Sequence, residues 1–170
     1  MDIILYGFGG FGYSVAEIAV ENGYKTIGVF DENEPENITL KNGKVSFLGK
    51  YNAKIYPNVP LVITIGNNEI RAKIAKEIKH KLISLIHHSA QVSDNSKIEN
   101  GCIIMQNVVI QANTIIKNHC IINASVVIDH DCVVENFVHI RPMVYIGSNS
   151  SISTCSTINP SSFIERFNTI

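Results

Sequence analysis

From Gln91 to the last residue, every sixth position is Val or Ile: Val92, Ile98, Ile104, Ile110, Ile116, Ile122, Ile128, Val134, Ile140, Ile146, Ile152, Ile158, Ile164 and Ile170. A helical stripe returns every three or four residues and a plain strand every two, so a sustained period of six fits neither. It predicts a parallel β-helix, in which each block of six adds a short strand and a turn, and equivalent places stack along one axis. The sixth place agrees, being small or β-branched in most blocks: Ser96, Cys102, Val108, Thr114, Cys120, Val126, Cys132, Val138. It reads as a second, tighter inward position. Asn100-Gly101, Asn107, Asn113, Asn118, Asn136 and Asn149 supply turn residues that enter the left-handed backbone region at low cost. An ordinary sandwich would show turn clusters at irregular spacing instead.

The first half reads differently. DIILY is a buried strand and leads straight into Gly7-Phe8-Gly9-Gly10-Phe11-Gly12. SVAEIAVENG then has helical spacing, and YKTIGVFD is a second strand ending in Asp31. Gly7, Gly9 and Gly12 satisfy G-x-G-x-x-G between strand and helix, so the loop amides and the helix N-terminus are placed to hold phosphate oxygens, with Asp31 for a ribose or sugar hydroxyl. A nicotinamide enzyme and a sugar-nucleotide binder both fit that motif. The former lacks room for a second nucleotide-binding half and has no redox site. After the polar segment ENEPENITLKNGK, residues 45–49 and 61–66 read as strands, Asn68 as the N-cap of the helix IRAKIAKEIK, and LISLIH as a closing strand. The expected division is a Rossmann-like βαβ domain over residues 1–88 and a β-helix over residues 91–170, an α/β plus all-β architecture.

A content of 45% hydrophobic and 17% charged residues is that of a folded chain, and a net charge of −1 leaves no footprint for nucleic acid. The apolar runs are too short for a transmembrane span, and the start lacks a basic signal-peptide region, so a cytoplasmic protein is expected. Cys102, Cys120, Cys132 and Cys155 lie in the repeat without metal-ligand spacing, so no metal site is expected, and packed thiols explain them. In that compartment the sequons at Asn37, Asn123 and Asn149 carry no meaning.

His130 stands between Asp129 and Asp131, where a carboxylate can orient an imidazole and stabilise its charged form. A surface histidine and a general base are both compatible with that setting. The opening YGFGGFG, the block IGNNEIR, the entry IHHSA and the stretch VIDHDCVVENFVHI together resemble the bacterial sugar acyltransferases of the sialic acid O-acetyltransferase family, nearest to those acting on UDP-4-amino sugars of the bacillosamine type. The resemblance runs from residue 1 to about Ile140. It implies a left-handed β-helix with three blocks per coil, a homotrimer, acetyl-CoA between neighbouring subunits, and a nucleotide-sugar on the N-terminal domain.

Carried over by residue, the resemblance makes His130 the catalytic base and Asp131 its acidic neighbour, and sets His139 near the acetyl group. Gly9, Gly10, Phe11, Asp31, Asn67 and Asn68 fall on the substrate side, Phe11 standing where many members carry His. The implied reaction is direct acetyl transfer to a nucleotide-linked amino sugar or its hydroxyl, for surface glycan synthesis. Relatives carry about one more block between the second histidine and the next Ile-Gly, and a Gly-rich final coil. By that resemblance a β-helix truncated at its C-terminus is expected, which leaves a second reading, a catalytically impaired relative serving as a sugar-nucleotide-binding or scaffold protein.

Overall fold

The computed structural model describes residues 1–35, 39–40 and 43–170, so the sequon at Asn37 and part of the polar segment around it lie outside the described residues. The chain divides into two compact units, Met1–Ile83 and Ser84–Ile170.

In the first unit, β1 (Asp2–Tyr6), β2 (Lys25–Phe30), β5 (Ser46–Phe47) and β6 (Leu61–Ile63) form a parallel sheet in the order β5-β2-β1-β6. Helix α1 (Gly10–Glu21) crosses from β1 to β2, and α2 (Asn68–Glu77) follows β6. Ile3, Ile4 and Leu5 are fully buried, which is why they form an unbroken apolar run: a parallel strand packed on both faces has no polar alternation. Within the polar segment, β3 (Thr39–Leu40) and β4 (Gly43–Lys44) pair antiparallel, where a loop was expected.

Several boundaries move for identifiable reasons. Helix α1 begins at Gly10, four residues earlier than the apolar pattern suggests, because the chain turns helical directly after an extended Gly9. Strand β6 ends at Ile63, short of Gly66, because the carbonyls of Ile65 and Gly66 turn toward the Arg71 guanidinium. The N-cap of α2 is Asn67, whose side chain accepts from the Ile70 amide at 3.0 Å; the expected cap, Asn68, is instead inside the helix.

The second unit is a parallel solenoid with eighteen residues per coil, since Ile103 pairs with Ile121, Ile121 with His139, and His139 with Thr157. Three sheets form its faces. The second-place aliphatics from Ile104 to Ile158 and the sixth-place Cys102, Val108, Cys120, Val126, Cys132 and Val138 form one core. Two polar sixth-place side chains are satisfied fifteen residues on: the Thr114 hydroxyl donates to the Asp129 carbonyl at 2.8 Å and the Ser150 hydroxyl to the Glu165 carbonyl at 3.1 Å. The thiols of Cys102, Cys120 and Cys132 do the same toward Lys117, Glu135 and Gly147.

The left-handed residue is the fifth of each block, Gly101, Asn107, Asn113, His119, Ser125, Asp131, Phe137, Met143, Asn149, Cys155, Ser161 and Phe167, so Asn118 and Asn136 sit one place before it. The repeat also starts one block ahead of residue 91. LISLIH is shared out: Leu82 bridges to Leu61 in the α/β sheet, while Leu85–Ile86 pairs with Ile103–Ile104 as the first solenoid rung. At the other end Phe163–Ile164 pairs with Tyr145–Ile146, and Thr169 bridges to Ser151.

Candidate functional site

In the α/β unit, the candidate residues gather at the carboxyl ends of the strands. Chain order leaves β1 toward β2 on one side and returns to β6 on the other, so the crevice between the β1 and β6 loops is the switch point where open parallel sheets bind ligands. Gly7 has φ +96°, and a Cβ there would lie 2.5 Å from the Ile65 side chain; a Cβ on Gly12 would lie 2.9 Å from the Gly7 carbonyl oxygen. Those two glycines serve the turn itself. Gly9 and Gly10 do not: both are exposed, and a Cβ on either would meet no atom within 4 Å. Their bare backbone faces open space at the N-terminus of α1, where amides are free to meet an anion. Phe11 is half-buried on the first turn of that helix.

Asp31 ties the loop down, its Oδ2 accepting from the Phe8 amide at 2.9 Å and its Oδ1 from the Asn33 amide at 3.2 Å. On the β6 side, Asn67 is exposed, whereas Asn68 is buried and accepts from Arg71 Nη2 at 2.7 Å. Arg71 is the residue that sequence reasoning passed over. Its side chain is fully buried, and its Nη1 donates to the carbonyls of Ile65 at 2.8 Å and Gly66 at 3.2 Å, fixing the loop that carries the Asn pair. The only local signal for it was its place in IGNNEIR.

In the solenoid, His130 and Asp131 occupy the turn that joins the strand Val127–Ile128 to the strand Val133–Val134. Both faces flanking that turn are fixed by the backbone ladder, so the turn side chains are free to point outward. His130 Nδ1 lies 2.7 Å from Asp131 Oδ2, and Asp131 Oδ1 accepts from Asn113 Nδ2, one coil below, at 3.0 Å. The Asp131 hydrogen bond, reinforced by the charges of Asp129 and Asp131, raises the imidazole pKa above its ordinary value, and the same bond with that from Asn113 lowers the Asp131 carboxyl. With Nδ1–H donated to Asp131, the Nε2 lone pair is left to accept a proton.

Asp129 sits beside this pair. Its Oδ1 accepts from the His130 amide at 2.8 Å and lies 3.9 Å from His130 Nε2, while its Oδ2 accepts from the Tyr145 hydroxyl at 3.1 Å. Next to Asp129 opens a groove of about 440 Å³ lined by Tyr145, Gly147, Ser148, Phe163, Glu165 and Arg166, within the size range of small-molecule sites. Gly147 lets the backbone at Arg166 pass close by: a Cβ there would lie 2.6 Å from the Arg166 amide nitrogen. The rings of Tyr145 and Phe163 stack at 5.0 Å along one wall. His139 is not part of this cluster. It stands on a different face, in the strand paired with Ile121–Ile122 and Thr157–Ile158.

Residues 2–78 match the family described as PglD N-terminal domain, and residues 95–130 match the bacterial transferase hexapeptide, six repeats. The chain is 31% identical over 113 residues to UDP-N-acetylbacillosamine N-acetyltransferase of Bacillus subtilis (strain 168), covering 61% of this chain and 51% of that protein. It thus spans about half the length of that curated relative. Its fold matches the acetyltransferase domain of PglB from Neisseria gonorrhoeae FA1090 at TM-score 0.73 and 25% identity, over 99% of this chain and 90% of that one. That domain has also been solved in complex with acetyl coenzyme A, matching at TM-score 0.69 and 26% identity over 99% and 86% of the two chains. The perosamine N-acetyltransferase of Caulobacter crescentus, a variant solved with CoA and GDP-perosamine, shares the fold at TM-score 0.74 and 22% identity over 100% and 88%. The bacillosamine-type resemblance read from the sequence agrees with these relatives.

Proposed function

We propose that this chain, a PglD N-terminal domain joined to bacterial-transferase hexapeptide repeats, transfers the acetyl group of acetyl-CoA to the amine of a nucleotide-linked amino sugar, with His130 as general base. The observation that carries the proposal is the His130–Asp131 pair, oriented at 2.7 Å on an exposed turn whose neighbouring residue Asp129 lines an open groove. Gly9 and Gly10 leave backbone amides open to the nucleotide phosphates, with Asp31, Asn67 and Asn68 shaping that side and Phe11 next to it. His139 belongs to the acetyl-CoA side only in a homotrimer, where it acts across a subunit boundary.

In the reaction, the sugar nitrogen attacks the thioester carbonyl as Nε2 takes its proton. The C–N bond forms, the C–S bond breaks, and the proton passes to the departing thiolate. Asp131 holds the imidazole in the required tautomer and stabilises the charged ring, and the base contributes roughly 10²–10⁴-fold. Bringing two substrates together supplies the rest, so no acyl-enzyme is invoked.

The test is acceptor-dependent release of CoA thiol, followed with acetyl-CoA and UDP-linked 4-amino sugars, with mass spectrometry of the acetylated product. Release that requires the amino sugar supports the proposal. Absence of release with every amino sugar, alongside a melting-point rise with UDP-sugar alone, would replace it with a sugar-nucleotide-binding scaffold.

A further inference from the structure

We propose that Tyr145 is a positioning residue that holds the Asp129 carboxylate off the Nε2 of His130, keeping that nitrogen open to the acceptor. The inference rests on His130 being the base of the proposed reaction. Asp129 has one oxygen fixed by the His130 amide at 2.8 Å and the other by the Tyr145 hydroxyl at 3.1 Å. So tethered, it stands 3.9 Å from Nε2, too far for a hydrogen bond. Its backbone is fixed as well, because its carbonyl accepts from the Thr114 hydroxyl at 2.8 Å. The side-chain rotation is therefore the remaining freedom, and Tyr145 removes it. The tyrosine is itself anchored, paired with Val127 below and stacked on Phe163 above.

Without the phenol, the carboxylate is free to rotate onto Nε2–H of the protonated ring. That contact would cap the base in its charged form and block the nitrogen the substrate must reach. The titratable and charged groups around the imidazole are Asp129 and Asp131 on its own turn, Cys132 behind it, Tyr145 from the next coil, and Glu165 and Arg166 along the groove. Of these, Asp129 alone has a carboxylate oxygen close to Nε2 that another side chain restrains. The Tyr145 phenol is held protonated above its ordinary range by the same hydrogen bond to Asp129, so it stays a donor wherever the imidazole titrates.

The experiment is an NMR titration of the His130 ring in the full chain, comparing wild type, Tyr145→Phe, Asp129→Asn and the double variant. Phenylalanine keeps the ring stack on Phe163. The expected result is an upward move of the His130 midpoint by about 0.5–1 pH unit in Tyr145→Phe, a downward move in Asp129→Asn, and no further effect of Tyr145→Phe when it is added to Asp129→Asn. The acetyl-transfer rate at pH 7 should fall several-fold in kcat with little change in the KM of the nucleotide-sugar. An unmoved or lowered midpoint in a folded Tyr145→Phe protein would overturn the inference, as would an equal upward move in the double variant. The titration needs no turnover, so it stands or falls separately from the acetyltransferase reading.

Discussion

The two units hold polar groups by opposite means. In the α/β unit, a guanidinium is fully buried and bonds to particular groups, among them the carbonyls of Ile65 and Gly66 and the Asn68 side chain. In the solenoid, the backbone ladder repeats every eighteen residues and supports itself, so His130 stands half-exposed on a turn without structural duty. Arg71 serves the shape of its loop, and the His130 turn is free to serve chemistry. Substitutions at Arg71 and at His130 should therefore separate stability from activity.

The largest effect expected is on the rate. His130→Ala should lower kcat by roughly 10²–10⁴-fold while leaving the melting temperature within about a degree of wild type, because the ring contributes no buried contact. Wild-type turnover would end its assignment as base, and a large drop in melting temperature would end the claim that the turn is structurally idle. The counterpart in the other unit is Arg71→Met. It removes the guanidinium from the part-buried carbonyls of Ile65 and Gly66 and from the buried Asn68 amide oxygen, and should cost roughly 2–4 kcal/mol of stability in a denaturant titration of the full chain.

Smaller, and sharper, is the contrast within the glycine loop. Gly7→Ala forces a side chain into a left-handed residue and against Ile65, and should destabilise by roughly 1–3 kcal/mol. Gly9→Ala meets nothing in the protein. It should leave stability unchanged within about 0.5 kcal/mol and weaken the binding of UDP-sugar about tenfold, measured by calorimetry. Equal affinity in Gly9→Ala would remove the phosphate contact from that stretch of backbone.

The same contrast governs what could be read in advance. The solenoid was legible because its contacts lie at a fixed separation, and a pattern that recurs every six residues survives in the one-dimensional string. Even its first rung was present, since Ile86 stands six places before Val92; the aliphatic run LISLIH hid it by looking like one continuous strand. The ends of β6 and α2 were not legible, because Arg71 and its carbonyl partners decide them and no local propensity reports a buried guanidinium. The His130–Asp131 pair could be read from adjacency. Tyr145 could not: it reaches Asp129 from the coil above, sixteen residues along, and only reading the blocks as stacked columns brings the two together.

The subtlest expected effect lies inside the turn itself. Asp131→Asn keeps the shape of the side chain and its place in the left-handed corner, which Asn occupies readily, as Asn113 and Asn149 do on the coils below and above. It weakens the hydrogen bond, and removes the smaller charge contribution, by which Asp131 raises the imidazole pKa. Because the base must be neutral to accept a proton, the wild-type rate should fall as pH drops through a His130 pKa that lies above the ordinary histidine value of about 6.5. In the variant that acid limb should move to lower pH, while the plateau at high pH drops about tenfold, since the ring is less basic and its tautomer less firmly held. The loss is smaller than for removing the histidine because Nε2 is still present. A limb that stays in place in Asp131→Asn would mean that Asp129, not Asp131, sets the protonation of the ring, and would shift the orienting role to the carboxylate that Tyr145 restrains.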